Sequence, residues 1–380
     1  MARTITWDEL RQLARFEAEK GCAISVYLDL DPSVAPTAGD AHTRLNSLLD
    51  EAAKSDGANR RDLSHAQREA VKGDLDRIRR FFTEEFTREG THGLVIFSDG
   101  LDNIWRTLPL AESVGDRVKV GRHLYLAPLV RLVGRGDGAI VVFVSREQGR
   151  FYRLHAGRLE ELVDHFEEQP RRHDQGGWSQ ARYQRHVDAL VEDHLRTVAE
   201  ELDRRVRRLR NVQVVVIGPD ETWAEFAELV APETRNAIVG RATVEAHAGP
   251  RELLAAATPL LERWRAERER EALARWSEEV GRHARASRGW EKTLEAASDG
   301  RVELLLFGEG VDRPAWRCPQ CGRAAAAAGK CPLDGTEMEE RSEGLDLAVH
   351  QTLVHGGRVW SVQGGDALAA AEGIGALLRY

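Results

Sequence analysis

The chain has 380 residues, 54 basic and 62 acidic, for a net charge of −8. At roughly 100–200 residues per domain this predicts two to four domains, each large enough for its own core. Apolar residues at 42% and charged residues at 31% exclude a collagen, a low-complexity chain and a disulfide scaffold. No apolar run approaches the roughly 20 residues of a membrane span, and the start Met1-Ala2-Arg3-Thr4-Ile5-Thr6-Trp7-Asp8 has no apolar signal core. The acidic total argues against sequence-blind coating of nucleic acid but leaves room for local basic surfaces.

The first stretch reads as mixed α/β. Cys22–Leu30 is β-rich and is stopped by Asp31-Pro32, and residues 41–55 and 65–87 carry helical spacing, with Leu75, Ile78, Phe82 and Phe86 on one stripe. Gly93–Gly100 is a short apolar strand, and Val118 to Leu132 is expected to be extended. Gly134-Arg135-Gly136-Asp137-Gly138 marks a junction. It leads into a strand and not a helix, so a phosphate loop is not expected there. The aspartates at strand ends, Asp29, Asp31, Asp99 and Asp102, read as turn residues, and Cys22 reads as packing.

The second stretch opens with the apolar run Ala139–Ser145, a buried strand, followed by a strand over Gly149–Leu159. A long helix is expected from about Ser179 to Leu209, with Tyr183, Val187, Leu190, Val191, Leu195, Val198, Leu202, Val206 and Leu209 as its apolar stripe. Val212–Pro219 is a third strand, residues 221–230 a short helix and Ile238–Gly240 an edge. Alternating strands and helices indicate an α/β domain. Pro250 to about Arg285 is a charged connector helix laced with opposite signs. The third stretch reads helix, strand (Val302–Phe307), a cysteine cluster over 312–340, helix, strand and a terminal apolar run, with no internal repeat.

Cys318, Cys321 and Cys331 fall within fourteen residues, and without a signal peptide such clustering reads as metal binding. Cys318-Pro319-Gln320-Cys321-Gly322 and Cys331-Pro332-Leu333-Asp334-Gly335 are two versions of one turn. The first places a cysteine where the second places Asp334. Structural zinc takes four ligands in a tetrahedron and accepts carboxylate oxygen. The set Cys318, Cys321, Cys331 and Asp334 is therefore expected to hold a structural zinc, the alternative being a ribbon that has lost its metal.

The remaining motif runs Arg171-Arg172-His173-Asp174-Gln175-Gly176-Gly177-Trp178-Ser179-Gln180-Ala181-Arg182-Tyr183-Gln184-Arg185-His186. It is a glycine loop feeding the start of the long helix, with Ser179 as a fair N-cap. Four arginines stand against one aspartate, opposite to the sign of the whole chain. A helix N-terminus with convergent Arg favours phosphate, and local positive charge is what a nucleic-acid contact requires. Trp178 is placed where it could stack on a base.

These residues resemble the class I release factors of archaeal and eukaryotic type, in which a Gly-Gly…Gln loop sits on the middle domain of a three-domain protein. Gly176-Gly177, a two-residue spacer and Gln180 look closer to the Vms-type peptidyl-tRNA hydrolases and to bacterial members of the superfamily. The terminal Gly373-Ile374-Gly375-Ala376-Leu377-Leu378-Arg379-Tyr380 resembles the closing strand of the third domain. The resemblance implies an α/β multidomain protein with boundaries at 1–135, 136–285 and 286–380. These would be an N-terminal α/β domain, an RNase H-like middle domain, and a C-terminal α/β sandwich with a zinc ribbon inserted at 312–340.

The Asn-Ile-Lys-Ser loop that reads stop codons is absent from 1–135, so codon-dependent termination is not expected. The implied activity is hydrolysis of the peptidyl-tRNA ester on stalled ribosomes or large subunits, in the cytoplasm and away from membranes. Gln180, Gly176, Gly177 and Ser179 would form the catalytic loop. Arg171, Arg172, His173, Trp178, Arg182, Arg185 and His186 would contact tRNA and ribosomal RNA. Partners would be a delivering translational GTPase and the ribosome, at the A site of its large subunit. The alternative is a non-catalytic, A-site-binding hibernation factor whose loop plugs the peptidyl transferase centre.

Overall fold

A computed structural model describes residues 5–55, 63–88, 90–133, 138–155, 157–162, 166–167, 180–209, 212–245, 247–363 and 366–380. In chain order the elements are α1 (Trp7–Ala14), β1 (Ala23–Asp29), α2 (Ala38–Lys54), α3 (His65–Glu84), β2 (Gly93–Asp99), β3 (Ile104–Leu110), β4 (Arg117–Gly121) and α4 (Ala127–Val130). Then come β5 (Ile140–Val144), β6 (Gln148–His155), β7 (Arg158–Glu161), β8 (Phe166–Glu167), α5 (Gln180–Arg208), β9 (Val214–Ile217), α6 (Asp220–Leu229), α7 (Pro232–Ala237), β10 (Ile238–Ala242) and α8 (Pro250–Gly281). The last are β11 (Ala286–Arg288), α9 (Gly289–Ser298), β12 (Val302–Gly308), β13 (Ala315–Arg317), β14 (Ala324–Ala325), β15 (Glu339–Arg341), α10 (Gly344–Val354), β16 (Arg358–Val362), α11 (Asp366–Ala369) and β17 (Ile374–Leu378). The fold is mixed α/β and multidomain. Among the described residues no helix is long and apolar enough to cross a membrane.

The chain forms two compact units, one of residues 1–133 with 269–380 and one of residues 134–268, the second boundary falling inside α8. In the first unit, β1–β4 form an antiparallel sheet in the order β3-β2-β1-β4. Side chains alternate across a strand, and here both faces are buried. Ile24, Val26, Leu28, Leu94 and Ile96 face Leu45, Leu49, Leu75, Ile78 and Phe82 of α2 and α3. Ala23, Tyr27, Val95 and Phe97 instead join a cluster with Leu10 of α1, Trp290 and Leu294 of α9, Leu305 of β12, and Leu345 and Ala348 of α10. One core thus runs through the first 133 residues and the C-terminal segment. The second sheet, β11-β17-β12-β16, has β12 parallel to β16 and antiparallel to β17. Its far face, with Leu304, Leu306, Val362 and Leu377, packs on Trp276 of α8.

In the second unit the order is β10-β9-β5-β6-β7, with β8 on β6. β10, β9 and β5 run parallel, while β5, β6 and β7 are antiparallel. Ile140, Val142, Val144, Val214 and Val216 point to Val191, Leu195, Val198 and Leu202 of α5 and to Phe226 of α6. Their alternates Ala139, Val141, Phe143, Val215 and Ile217 point to Leu253, Ala257 and Leu261 of α8. The strands are apolar throughout because helices cover both faces.

Two sequence expectations need correction. Residues 118–132 are not extended throughout: the strand ends at Gly121, and Ala127–Val130 is a helical turn with Pro128 at its start. Asp346 Oδ1 accepts the N–H groups of Leu126 and Ala127 at 2.8 and 2.9 Å, capping that turn from a distant helix. Gly149–Leu159 is not one strand either. It contains β6 from its second residue on and the start of β7, joined through Gly157 at φ +68°, a conformation that costs glycine little.

Candidate functional site

The two cysteine turns fold alike. Cys318 N–H donates to Arg323 O at 2.8 Å, and Cys331 N–H donates to Thr336 O at 2.8 Å. Gly322 N–H returns to Cys318 O at 3.0 Å, and Gly335 N–H to Cys331 O at 2.9 Å. Both glycines sit in the left-handed region, at φ +78° and +74°, as the turn demands. β13, β14 and β15 form the small sheet that carries the turns.

This near-symmetry brings one ligand atom each from Cys318, Cys321, Cys331 and Asp334 within 4.8 Å of one another. Cys318 Sγ lies 3.3 Å from Asp334 Oδ2, and Cys321 Sγ lies 3.5 Å from Cys331 Sγ. All three cysteines are free thiols. Metal–sulfur bonds of about 2.3 Å and a metal–oxygen bond of about 2.0 Å in a tetrahedron require S···S of about 3.8 Å and S···O of about 3.5 Å. Those two distances are close to that requirement and the other ligand atoms lie within 4.8 Å, so the four groups could hold a metal ion. Cys321 N–H reaches Cys318 Sγ at 3.5 Å, and Thr336 N–H donates to Asp334 Oδ1 at 2.9 Å. The hydrogen bonds of Thr336 hold the Asp334 carboxyl well below the usual carboxylate range.

The ribbon is tied to its own unit by groups that the sequence did not reveal. Arg317, beside Cys318, is buried and pairs with Glu17 Oε1 at 3.6 Å. Glu17 also faces Arg122 at 3.3 Å and His123 Nε2 at 3.7 Å. The ring of His123 lies against that of His350, with centroids 4.6 Å apart. Gln351 Nε2 donates to Gly322 O at 2.9 Å. No local spacing signals these pairings with Glu17 or between the two histidines, because the partners are separated by more than a hundred residues.

The glycine loop is a different matter. Arg171, Arg172, His173, Gly176, Gly177, Trp178 and Ser179 lie outside the described residues. Gln180 is the first residue of α5, and Arg182, Arg185 and His186 follow within its first two turns. α5 is anchored further along by Val191, Leu195, Val198 and Leu202, the central part of the stripe expected from sequence, with Ala199 joining them. β6 approaches it closely: a Cβ on Gly149 would stand 2.5 Å from Val198 Cγ2.

The strand-end aspartates hold turns. Asp102 Oδ2 accepts the N–H groups of Glu19, Lys20 and Gly21, and Asp31 Oδ1 accepts Ser33 N–H and Oγ–H. Cys22 is buried in the α2/α3 core.

Residues 125–262 match the model of the bacterial archaeo-eukaryotic release factor family 10. Peptide chain release factor subunit 1 of Archaeoglobus fulgidus is 24% identical over 366 residues, which cover 90% of this chain and 87% of that protein. Among solved structures, the chain is similar to the archaeal translation termination factor aRF1, at 18% identity and a TM-score of 0.28 over 99% of both chains. It is also similar to archaeal Pelota in a ribosome-bound model with ABCE1, at 14% identity and a TM-score of 0.40 over 100% of this chain and 95% of that one. The chain is thus release-factor-like: over residues 125–262 it is similar to the bacterial archaeo-eukaryotic release factor family 10, and over 90% of its length to an archaeal peptide chain release factor.

Proposed function

We propose that the protein hydrolyses the peptidyl-tRNA ester on stalled ribosomes or free large subunits without reading a codon. The observation that carries this reading is Gly176-Gly177-Trp178-Ser179-Gln180, inside the matched segment 125–262 and feeding a helix anchored in a sheet core. Ester hydrolysis needs a placed water and stabilisation of the developing oxyanion. An amide does not titrate usefully, so Gln180 positions water and takes no proton. Gly176 and Gly177 let the backbone enter a narrow site, and Ser179 completes the catalytic loop with Gln180. Arg171, Arg172, Arg182 and Arg185 hold RNA phosphates, His173 and His186 add contacts, and Trp178 stacks on a base. The remaining reacting groups come from the ribosome and the tRNA end.

In the same reading, segments 1–135, 136–285 and 286–380 correspond to an N-terminal α/β domain, an RNase H-like domain and a third domain bearing the ribbon. Partners are a delivering translational GTPase and the ribosome, at the A site of its large subunit, in the cytoplasm. Cys318, Cys321, Cys331 and Asp334 hold zinc. When bound, zinc cross-links the two turns, and its closed ligand set leaves it no part in the chemistry.

The test is peptide release from purified stalled complexes by wild type and by Gln180→Ala. Release by wild type with loss of at least tenfold in the variant supports the hydrolase. Wild type that co-sediments with ribosomes yet releases nothing replaces it with an A-site-binding hibernation factor whose loop plugs the peptidyl transferase centre.

A further inference from the structure

We propose that Cys321 and Cys331 form an oxidisable pair, so that a peroxide exchanges the metal cross-link of the ribbon for a disulfide between its two turns. The inference rests on the zinc reading for metal release and for the thiolate state of the two sulfurs; their 3.5 Å contact stands on its own geometry.

The site is asymmetric. Its two turns contribute three sulfurs and one carboxylate, and the carboxylate cannot be oxidised to a cross-link. Cys318 is buried, with its sulfur 3.3 Å from Asp334 Oδ2. Cys321 is exposed, and its sulfur lies 3.5 Å from that of Cys331, on the other turn. Access and thiolate character decide which sulfur reacts first, and metal ligation requires both sulfurs to be thiolates. Cys321 is thus the sulfur an oxidant meets, with a second sulfur in contact to resolve it.

The chemistry balances with a hydroperoxide as the oxidant. Cys321 Sγ attacks one peroxide oxygen, the O–O bond breaks, and the leaving oxygen takes a proton. Cys331 Sγ then attacks the Cys321 sulfenic sulfur, the S–S bond forms, the S–O bond breaks, and the departing hydroxide is protonated to water. Two thiols lose two electrons, and the peroxide gains them. Two of the metal's ligands are consumed, leaving Cys318 and Asp334, too few for a tetrahedral site. The turns stay joined, so the ribbon keeps its shape after the metal has left.

The experiment uses the full-length chain in a Cys22→Ser background, loaded with zinc and titrated with hydrogen peroxide. Zinc release is followed with a chromogenic chelator and disulfides by peptide mass mapping. The expected result is about one zinc released per disulfide, the disulfide joining Cys321 to Cys331, with thiol reductant restoring zinc binding. In Cys331→Ser, a sulfenic acid on Cys321 should accumulate and be trapped by a dimedone reagent. If that variant does not fold, the mapping on the parent chain decides. A disulfide between Cys318 and Cys321, or zinc release with no disulfide, overturns the proposal. A chain that takes up no zinc overturns the metal reading alone, because mapping the metal-free chain still reports whether Cys321 joins Cys331.

Discussion

The imidazoles of His123 and His350 lie 4.6 Å apart, one from the segment after β4 and the other from α10. Their Nε2 atoms are buried without a hydrogen-bond partner. Burial, together with the facing guanidinium of Arg317, lowers His123 to about 4 and His350 to about 3. Arg122 and Arg341 also oppose protonation of His123, while Glu17 favours it at His350. Two neutral rings therefore pack where two charged ones would repel.

This arrangement predicts an acid-sensitive junction. The folded pKa values lie below that of an unfolded histidine, near 6.5, so the unfolded chain binds more protons between about pH 6.5 and 4. Stability is fully present above about pH 7 and falls as the pH drops through that window, by at most about 1.4 kcal/mol per pH unit for each histidine. Denaturant unfolding from pH 7.5 to 4.5 should show a shallower loss for the double variant His123→Gln/His350→Gln than for wild type. Identical slopes would refute the assignment.

Asp346 has the opposite sign. Burial raises its carboxyl to about 7, against the Leu126 and Ala127 N–H groups that favour the charge. The folded state binds the extra proton, so this contribution is lost as the pH rises toward 7. Asp346→Asn keeps an acceptor for both N–H groups and removes the buried charge, so it should be more stable than wild type at pH 8 and gain less at pH 5. Asp346→Ala leaves two N–H groups without an acceptor and should cost about 2–4 kcal/mol. Melting curves at the two pH values separate these outcomes.

Asp334 should be required for metal affinity. Asp334→Ala removes a ligand, and its zinc affinity should fall by more than the roughly 10–100-fold lost with an outer-shell partner. Asp334→Cys should retain or tighten zinc, because it completes a four-thiolate set. Competition against a chelator of known affinity reads both, and equal affinity of Asp334→Ala and wild type would remove the aspartate from the site.

Arg182 and Arg185 should contribute to ribosome binding by pairing with phosphates. Replacing both by alanine should flatten the slope of log affinity against log salt by roughly 0.7–0.9 for each phosphate no longer neutralised. Co-sedimentation over a salt series measures it, and an unchanged slope would place both side chains away from RNA.

The core of the second unit offers a structural control. Leu195 is fully buried between α5 and the sheet, so Leu195→Ala should cost about 2–5 kcal/mol by chemical denaturation. The expected stripe continues at Val206 and Leu209, partly buried against the same cluster.

Much was legible from local patterns alone. The unbroken apolar runs at Ile140–Val144 and Val214–Ile217 announced strands, the first of them buried, and the spacing from Val191 to Leu202 announced a helix that the structure places over one face of both. Such periodicity is local and survives in a bare sequence. The paired Cys-Pro-x-ligand-Gly turns were equally plain, since each is closed by hydrogen bonds within six residues. Short elements were missed or misjudged. α1 is eight residues long and owes its start to the capping box of Thr6 and Glu9, while the hairpin at Gly157 turns where apolar spacing suggested continuity.

Only the tertiary structure decided that residues 1–133 and 269–380 share one core, that a buried Arg317 meets Glu17, and that His123 meets His350. Burial and long-range charge depend on what arrives from elsewhere in the chain, and no local pattern encodes that. The charge of −8 belongs to the same division. It bounded the kind of partner for the whole molecule, while the groups with shifted protonation are set by which few side chains packing brings together.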